Sequence, residues 1–158
     1  SVPTPWHQDA PYYCVDGAKT VSLWIPLDDV PRETTPEFIS GSHKWNKFYR
    51  PQRFDGSALN ENDGLEDIPD INGNRSDFDI LGWAVEPGDA IAFDYRTIHG
   101  APANASKSNQ RRALSLRLVG DNARFVRREG IVTSPPFNQV TLEHGDVLAG
   151  EEFPVLLN

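Results

Sequence analysis

Prolines and glycines, 13 and 12 of them in 158 residues, cut this chain into apolar stretches too short for helices. What lies between the breaks alternates. In residues 19–27, Val21, Leu23 and Ile25 interleave with Thr20, Ser22 and Trp24, so an extended segment would have one apolar face, and Pro26 with Asp28-Asp29 ends it. Residues 111–119 repeat the pattern, with Leu114, Leu116 and Leu118 on one side and Arg111, Ala113, Ser115 and Arg117 on the other. Glu37-Phe38-Ile39 reads as a shorter strand. Residues 83–86 and 90–95 flank Pro87-Gly88-Asp89, whose turn chemistry predicts a β-hairpin. Residues 10–17 read as a loop whose Tyr12 and Tyr13 either line a pocket mouth or simply pack. Many short strands with this punctuation predict an all-β domain.

The length suits one domain with a real core. No apolar run approaches the roughly 20 residues of a membrane helix, so no membrane partner is expected. A net charge of −8 argues against nucleic acid, which wants a basic face. The single cysteine, Cys14, excludes an internal disulfide or a thiolate metal cluster and fits a reducing, cytoplasmic setting. Acids gather in residues 53–82, at Asp55, Glu61, Asp63, Glu66, Asp67, Asp70, Asp77 and Asp79. A segment this long with so little apolar periodicity reads as a solvated insertion or a lid. The opening Ser1-Val2-Pro3 runs almost directly into the first chemistry-bearing segment, which reads as the start of a fragment or a processed piece.

That segment is Trp6-His7-Gln8-Asp9. In an extended chain the side chains at i and i+2 leave the same face, so His7 and Asp9 can share one ion while Gln8 points away. A third ligand would come from His99, just past a strand end, or from His43 in the turn Gly41-Ser42-His43. His7, Asp9 and His99 together make a two-histidine, one-carboxylate triad of the kind that holds Fe(II) with open positions. Arg111 lies on the strand that follows His99, on its less apolar side, where a guanidinium could clamp a carboxylate beside the metal. Arg117 shares that parity and is the second choice; Arg112 falls with the leucines. His144, in a turn near the C-terminus, reads as a surface residue.

Taken together, Trp6-His7-Gln8-Asp9, Ser22-Leu23-Trp24-Ile25-Pro26-Leu27-Asp28-Asp29, Gly41-Ser42-His43-Lys44, Pro87-Gly88-Asp89, His99-Gly100 with Asn104, and Arg111-Arg112-Ala113-Leu114-Ser115 resemble the phytanoyl-CoA dioxygenase family of Fe(II)/2-oxoglutarate-dependent oxygenases. The resemblance implies a double-stranded β-helix, the jelly-roll barrel shared with cupins. It implies His7, Asp9 and His99 as iron ligands and catalytic centre, and Arg111 as the clamp for the distal carboxylate of the cosubstrate 2-oxoglutarate. It also implies the reaction: dioxygen is consumed, succinate and carbon dioxide leave, and a C–H bond of a small-molecule substrate is hydroxylated. Halogenases resemble this motif with a small residue in place of the carboxylate, so the retained Asp9 implies hydroxylation. The sequence departs from the family around Thr34-Thr35-Pro36 and Ser40, before the Gly-Ser-His turn. It also lacks the family's usual N-terminal helical part, which predicts an under-covered leucine face on residues 111–119 and self-association.

Two other readings use the same residues. A cupin-like metal enzyme that does not take 2-oxoglutarate would have the triad without a role for Arg111. A non-catalytic jelly-roll binding module or inactive fragment would have lost metal affinity. The acidic residues 55–79 predict repulsion of polyanions and so a small neutral or cationic substrate.

Overall fold

Both long alternating stretches are strands, and they are neighbours. The computed structural model describes residues 2–60, 64–104, 106, 110–128 and 140–156. Among these, nine strands run in the order β1 (Thr4–His7), β2 (Val15–Asp16), β3 (Thr20–Pro26), β4 (Glu37–Ile39), β5 (Ile80–Leu81), β6 (Ile91–Phe93), β7 (His99–Ala101), β8 (Ala113–Val119) and β9 (Arg124–Phe125). The described residues contain no α-helix, only three single turns of 3-10 helix at Ala10–Tyr12, Ser42–Lys44 and Arg75–Asp77. None of these could cross a membrane.

The strands form a four-stranded sheet in the order β1-β7-β4-β5, a three-stranded sheet in the order β6-β3-β8, and the pair β2-β9. All pairings are antiparallel. The two larger sheets meet where Phe38 of β4 packs on Phe93 of β6, with ring centroids 4.9 Å apart, and Phe93 packs on His99 of β7 at 4.5 Å. This is the double-stranded β-helix, and the contact places the start of β7 between the sheets.

Two apolar clusters hold it. Ile39, Tyr49, Ile71 and Ile98 are buried together beneath Trp6, Ile68, Phe78 and Ile80. Cys14, Val15, Ala123 and Phe125 form a smaller cluster with Val140, Leu142, Leu148 and Phe153, so the C-terminal segment has a core of its own. The sequence suggests only short edge pairing there, and β9 with its isolated Arg124–Val147 bridge supplies it.

Two expectations are corrected. Residues 83–86 do not pair with β6, because the Val85 N–H and C=O are taken by Val30, at 3.0 and 2.8 Å. The turn at Gly88, with φ of +110°, is real, but β6 turns to β3 instead. Residues 10–17 are not a plain loop, since they include the 3-10 turn and β2. The acidic stretch makes several contacts with the rest of the domain. Ile71 is 1% exposed. The Trp6 indole N–H donates to Asn72 Oδ1 at 3.0 Å, Arg75 pairs with Glu37 of β4 at 2.9 Å, and Arg50 pairs with Asp67 at 2.9 Å. A few isolated isoleucines among many acids carry no periodicity, yet each can fill a core position. Glu61 and Asp63 lie outside the described residues.

Candidate metal centre

β1 stops at His7 because the next residues turn. Asp9 takes helical dihedrals (φ −69°, ψ −39°) and starts the 3-10 turn Ala10–Tyr12, with a proline in its first positions. His7 and Asp9 therefore do not share a strand face, as the spacing suggests; they converge because the chain bends between them. Gln8 points away, as expected, and is 2% exposed. Its amide nitrogen donates to the carbonyls of Lys47 and Arg96, at 3.0 and 2.8 Å, and its oxygen accepts from the Tyr49 N–H at 3.1 Å. A buried amide must be satisfied in this way, and here the bonds tie the end of β1 to the turn that leads into β7.

β7 brings the second histidine. His99 lies opposite His7 in the β1–β7 ladder, which is irregular between Thr4 and His7, and the imidazole centroids are 4.2 Å apart. Gly100 allows the close approach, since a Cβ there would sit 3.1 Å from the Thr4 carbonyl oxygen and 3.3 Å from the Trp6 Cα. The turn holding His43 contributes through its serine. Ser42 Oγ donates to the Ile39 carbonyl and accepts from the Ile98 N–H, both at 2.8 Å, one residue before His99. His43 itself stays in its half-buried turn, outside the cluster.

Each imidazole is aimed by its outer nitrogen. Nδ1 of His7 lies 2.8 Å from the Pro5 carbonyl and Nδ1 of His99 lies 3.0 Å from the Thr97 carbonyl. A carbonyl only accepts, so both Nδ1 atoms carry the proton and both Nε2 lone pairs face inward. They lie 3.7 and 3.8 Å from Asp9 Oδ1. Asp9 is 3% exposed, and its other oxygen, Oδ2, accepts from Ser22 Oγ at 2.5 Å and lies 3.0 Å from Arg117 Nε. That Nε–H finds no acceptor, while a terminal N–H of the same guanidinium donates to Asp9 Oδ1 at 3.5 Å, so the contact is an ion pair with one long hydrogen bond. Ser22 and Arg117 face each other across the β3–β8 ladder.

Burial, then the neighbouring His7, pushes His99 down to about 3, and burial also lowers His7. Burial alone would raise Asp9, but His99, Arg117 and the Ser22 hydroxyl hold it below its usual range. The result is two neutral imidazoles and one carboxylate, with donor atoms all within 4.8 Å of one another. These are the protonation states a divalent cation requires. A small contraction would put all three at the roughly 2.0–2.2 Å of a first-row metal bond, so the donor set fits iron. Among the described residues no other group of histidine, cysteine, aspartate or glutamate converges in this way.

The two arginines differ. Arg117 lines a cavity of about 470 Å³ with His7, Asp9, Tyr12, Tyr13, Arg53 and Phe54. Arg111 is not in that lining; it donates to the carbonyls of Thr34 and Pro102, the latter at 2.9 Å. Both acceptors are neutral, and among the described residues no carboxylate pairs with Arg111. His144 is exposed and accepts from the Arg127 N–H at 3.3 Å. Sequence reasoning missed Ser22 and Ser42. Ser22 was readable only as one polar residue in an alternating strand, on the face opposite Val21, Leu23 and Ile25.

Comparison with known proteins identifies the family. The sequence profile of the phytanoyl-CoA dioxygenase (PhyH) family matches residues 1–113, and the chain belongs to that family. No curated protein matches it. The non-heme α-ketoglutarate-dependent carbocyclase SnoK from nogalamycin biosynthesis shares the fold with a TM-score of 0.67 and 27% identity, over 97% of this chain and 55% of SnoK. The epimerase SnoN from the same biosynthesis, solved with Fe3+, α-ketoglutarate and nogalamycin RO, has a TM-score of 0.70 and 24% identity, over 98% of this chain and 57% of SnoN. EvdO2 from Micromonospora carbonacea var. aurantiaca, complexed with 2-oxoglutarate, gives 0.52 and 26%, over 73% of this chain and 44% of EvdO2. The chain thus spans little more than half the length of SnoK and SnoN.

Proposed function

We propose that this chain is the catalytic barrel of an Fe(II)- and 2-oxoglutarate-dependent dioxygenase that hydroxylates a C–H bond of a small molecule. The observation that carries the reading is the commitment of both imidazole Nδ1 atoms to backbone carbonyls, which leaves two Nε2 atoms and Asp9 Oδ1 facing one point. His7, Asp9 and His99 would hold the iron. When bound, iron and 2-oxoglutarate supply the oxidising chemistry, with dioxygen consumed and succinate and carbon dioxide released. The protein's part is position and dryness. Phe38 stacks on His99 with rings 15° from parallel, and Phe93 tilts against it, so apolar rings wall the imidazole that would ligate the metal. Gln8, Ser22 and Ser42 hold the ligands before any metal arrives.

For the distal carboxylate of 2-oxoglutarate we assign Arg111. Its charge is partly buried and answered only by neutral carbonyls, and burial lowers its pKa. Arg117 already spends its charge on Asp9. An anion would relieve Arg111, whereas it would have to compete for Arg117. The metal carboxylate Asp9 occupies the place where halide would otherwise enter, which supports hydroxylation; SnoK, a carbocyclase, makes product analysis part of the test. A cytoplasmic setting suits a chain whose one cysteine, Cys14, is buried and free. Self-association through the apolar face of β8 is part of the same proposal.

The test is an anaerobic titration with Fe(II) and 2-oxoglutarate, following the metal-to-ligand charge-transfer band. The band should form in the parent, and Arg111→Gln should raise the half-saturating 2-oxoglutarate concentration by about tenfold to a hundredfold, the loss of one bidentate charge-assisted pair. A band unaffected by Arg111→Gln but weakened in 2-oxoglutarate affinity by Arg117→Gln would reassign the clamp. Metal binding without a band would favour a cupin-like enzyme.

A further inference from the structure

The rim of the metal cavity is built by a small hairpin inside the acidic stretch, and its chemistry is not acidic. Gln52 bridges Ala58. Between them the Arg53 N–H donates to the Ser57 carbonyl at 2.8 Å and the Gly56 N–H to the Arg53 carbonyl at 2.9 Å, with Gly56 at φ +83°. The hairpin is bolted to the metal site through one side chain. Tyr12 Oη donates to the Gln52 carbonyl at 2.8 Å and accepts from the Gln52 N–H at 2.7 Å, while its ring stands edge-on to the His7 imidazole, 5.8 Å away and at 89°.

At the tip sits Phe54, 74% exposed. A large aromatic in water on a braced turn has no structural use in the fold, yet it lines the metal cavity and also a neighbouring cavity of about 460 Å³. Beside it is Arg53. Its guanidinium donates to the carbonyls of Ala58 and Leu59, and among the described residues no carboxylate lies within ion-pair distance. The one carboxylate in the cavity lining is Asp9, a proposed metal ligand already paired with Arg117. Asp55, next to Phe54, lines the neighbouring cavity instead and accepts from the Ser57 N–H and hydroxyl. The local sign at the metal cavity is thus opposite to the chain's net charge of −8. The rim thus favours an anionic substrate over the neutral or cationic one that the acidic composition suggests, with Asp55 acting on Arg53 only beyond ion-pair distance.

We infer that Phe54 and Arg53 are the specificity-determining residues of this site, and that they select a substrate with a planar, apolar ring system bearing an anionic group. Phe54 offers a face for the rings to stack on. Arg53 takes the anion, and Tyr12, Tyr13 and Leu59 bury the flank of the ring system. The rest of the substrate then reaches past the rim to the point where His7, Asp9 and His99 converge. The inference rests on the proposed oxygenase reading for the reaction, but not for the binding.

Naphthoate and its neutral analogue naphthylmethanol serve as probes. Calorimetric titration of the metal-free protein should show naphthoate binding that Phe54→Ala weakens about tenfold, as loss of one aromatic contact implies. Arg53→Gln should weaken it about fivefold, the scale of one exposed ion pair, whereas Arg53→Lys should retain most of the affinity. Naphthylmethanol should bind more weakly than naphthoate and ignore Arg53→Gln. Phe54 is exposed, so its replacement does not threaten the fold. No detectable naphthoate binding, or binding indifferent to Phe54→Ala, would overturn the inference, as would equal affinity for the alcohol. Mn(II), added afterwards, should broaden the proton resonances of bound naphthoate, and His99→Ala should abolish the broadening. Absence of broadening with the Phe54 and Arg53 effects intact would sink the metal reading and leave the rim standing.

Discussion

The β3–β8 pair has two faces, and they contrast in a way that runs against the usual rule. On the inner face, Ser22 is fully buried and, with Arg117 opposite, converges on Asp9. On the outer face, Leu23 pairs with Leu116 and Ile25 with Leu114, yet Leu116 is 38% exposed and Leu114 48% exposed. The polar face is inside because it serves the site, and the apolar face is left to solvent. Alternation in a strand therefore shows that two faces differ. It does not say which of them is the interior of a barrel that must hold an ion and its charged partners.

The strongest way to break the contrast is to remove a ligand from the inner side. His99→Ala should abolish the charge-transfer band and metal binding in anaerobic titration, because Asp9 and His7 alone leave one facial position empty. The fold should survive, since Ile39, Tyr49, Ile71 and Ile98 keep the neighbouring core. A band of undiminished strength in His99→Ala would mean that iron sits elsewhere.

Next in size is the support beneath Asp9. Ser22→Ala removes the hydroxyl that orients Oδ2 and should cost about 10–100-fold in metal affinity, the range for partners of a ligating group. The same substitution on the outer face, at Leu23, should leave metal affinity unchanged. Fe(II) or Mn(II) titration of both variants checks this, and equal effects would show that the two faces are not functionally distinct.

Much of this was legible in the sequence, for particular reasons. His7, Asp9 and His99 could be read because a metal site needs few residue types, and the turn at Pro87-Gly88-Asp89 because its chemistry is local. What failed was pairing. Residues 83–86 look like the other arm of a hairpin, but a lone Val30 competes for Val85, and nothing local announces that. Asp9 reaches the site through a bend that the i, i+2 argument does not contain. The acidic composition of residues 53–82 hid Ile71, and it hid the sign of the rim at Arg53, because net charge has no direction until the chain is folded.

The smallest expected effect lies on the outer face, and it sharpens the comparison most. Leu116→Ser and Leu114→Ser exchange exposed apolar atoms for a hydroxyl that water can satisfy. Each should change folding stability by only about 0.5 kcal/mol, as surface substitutions do, in contrast to the roughly 2–5 kcal/mol expected for Ile71→Ala in the core. Metal affinity and the charge-transfer band should not move. What should change is association: if Val21, Leu23, Ile25 and the β8 leucines bury one another between copies, the double variant should shift sedimentation of concentrated protein toward the monomer. The parent would then sediment as a larger species. A parent that is monomeric at every concentration, with unaltered behaviour in the double variant, would remove self-association and leave that face simply wet. Denaturant midpoints, metal titration and sedimentation on the same preparations separate these outcomes, because the inner face controls the second measurement and the outer face only the third.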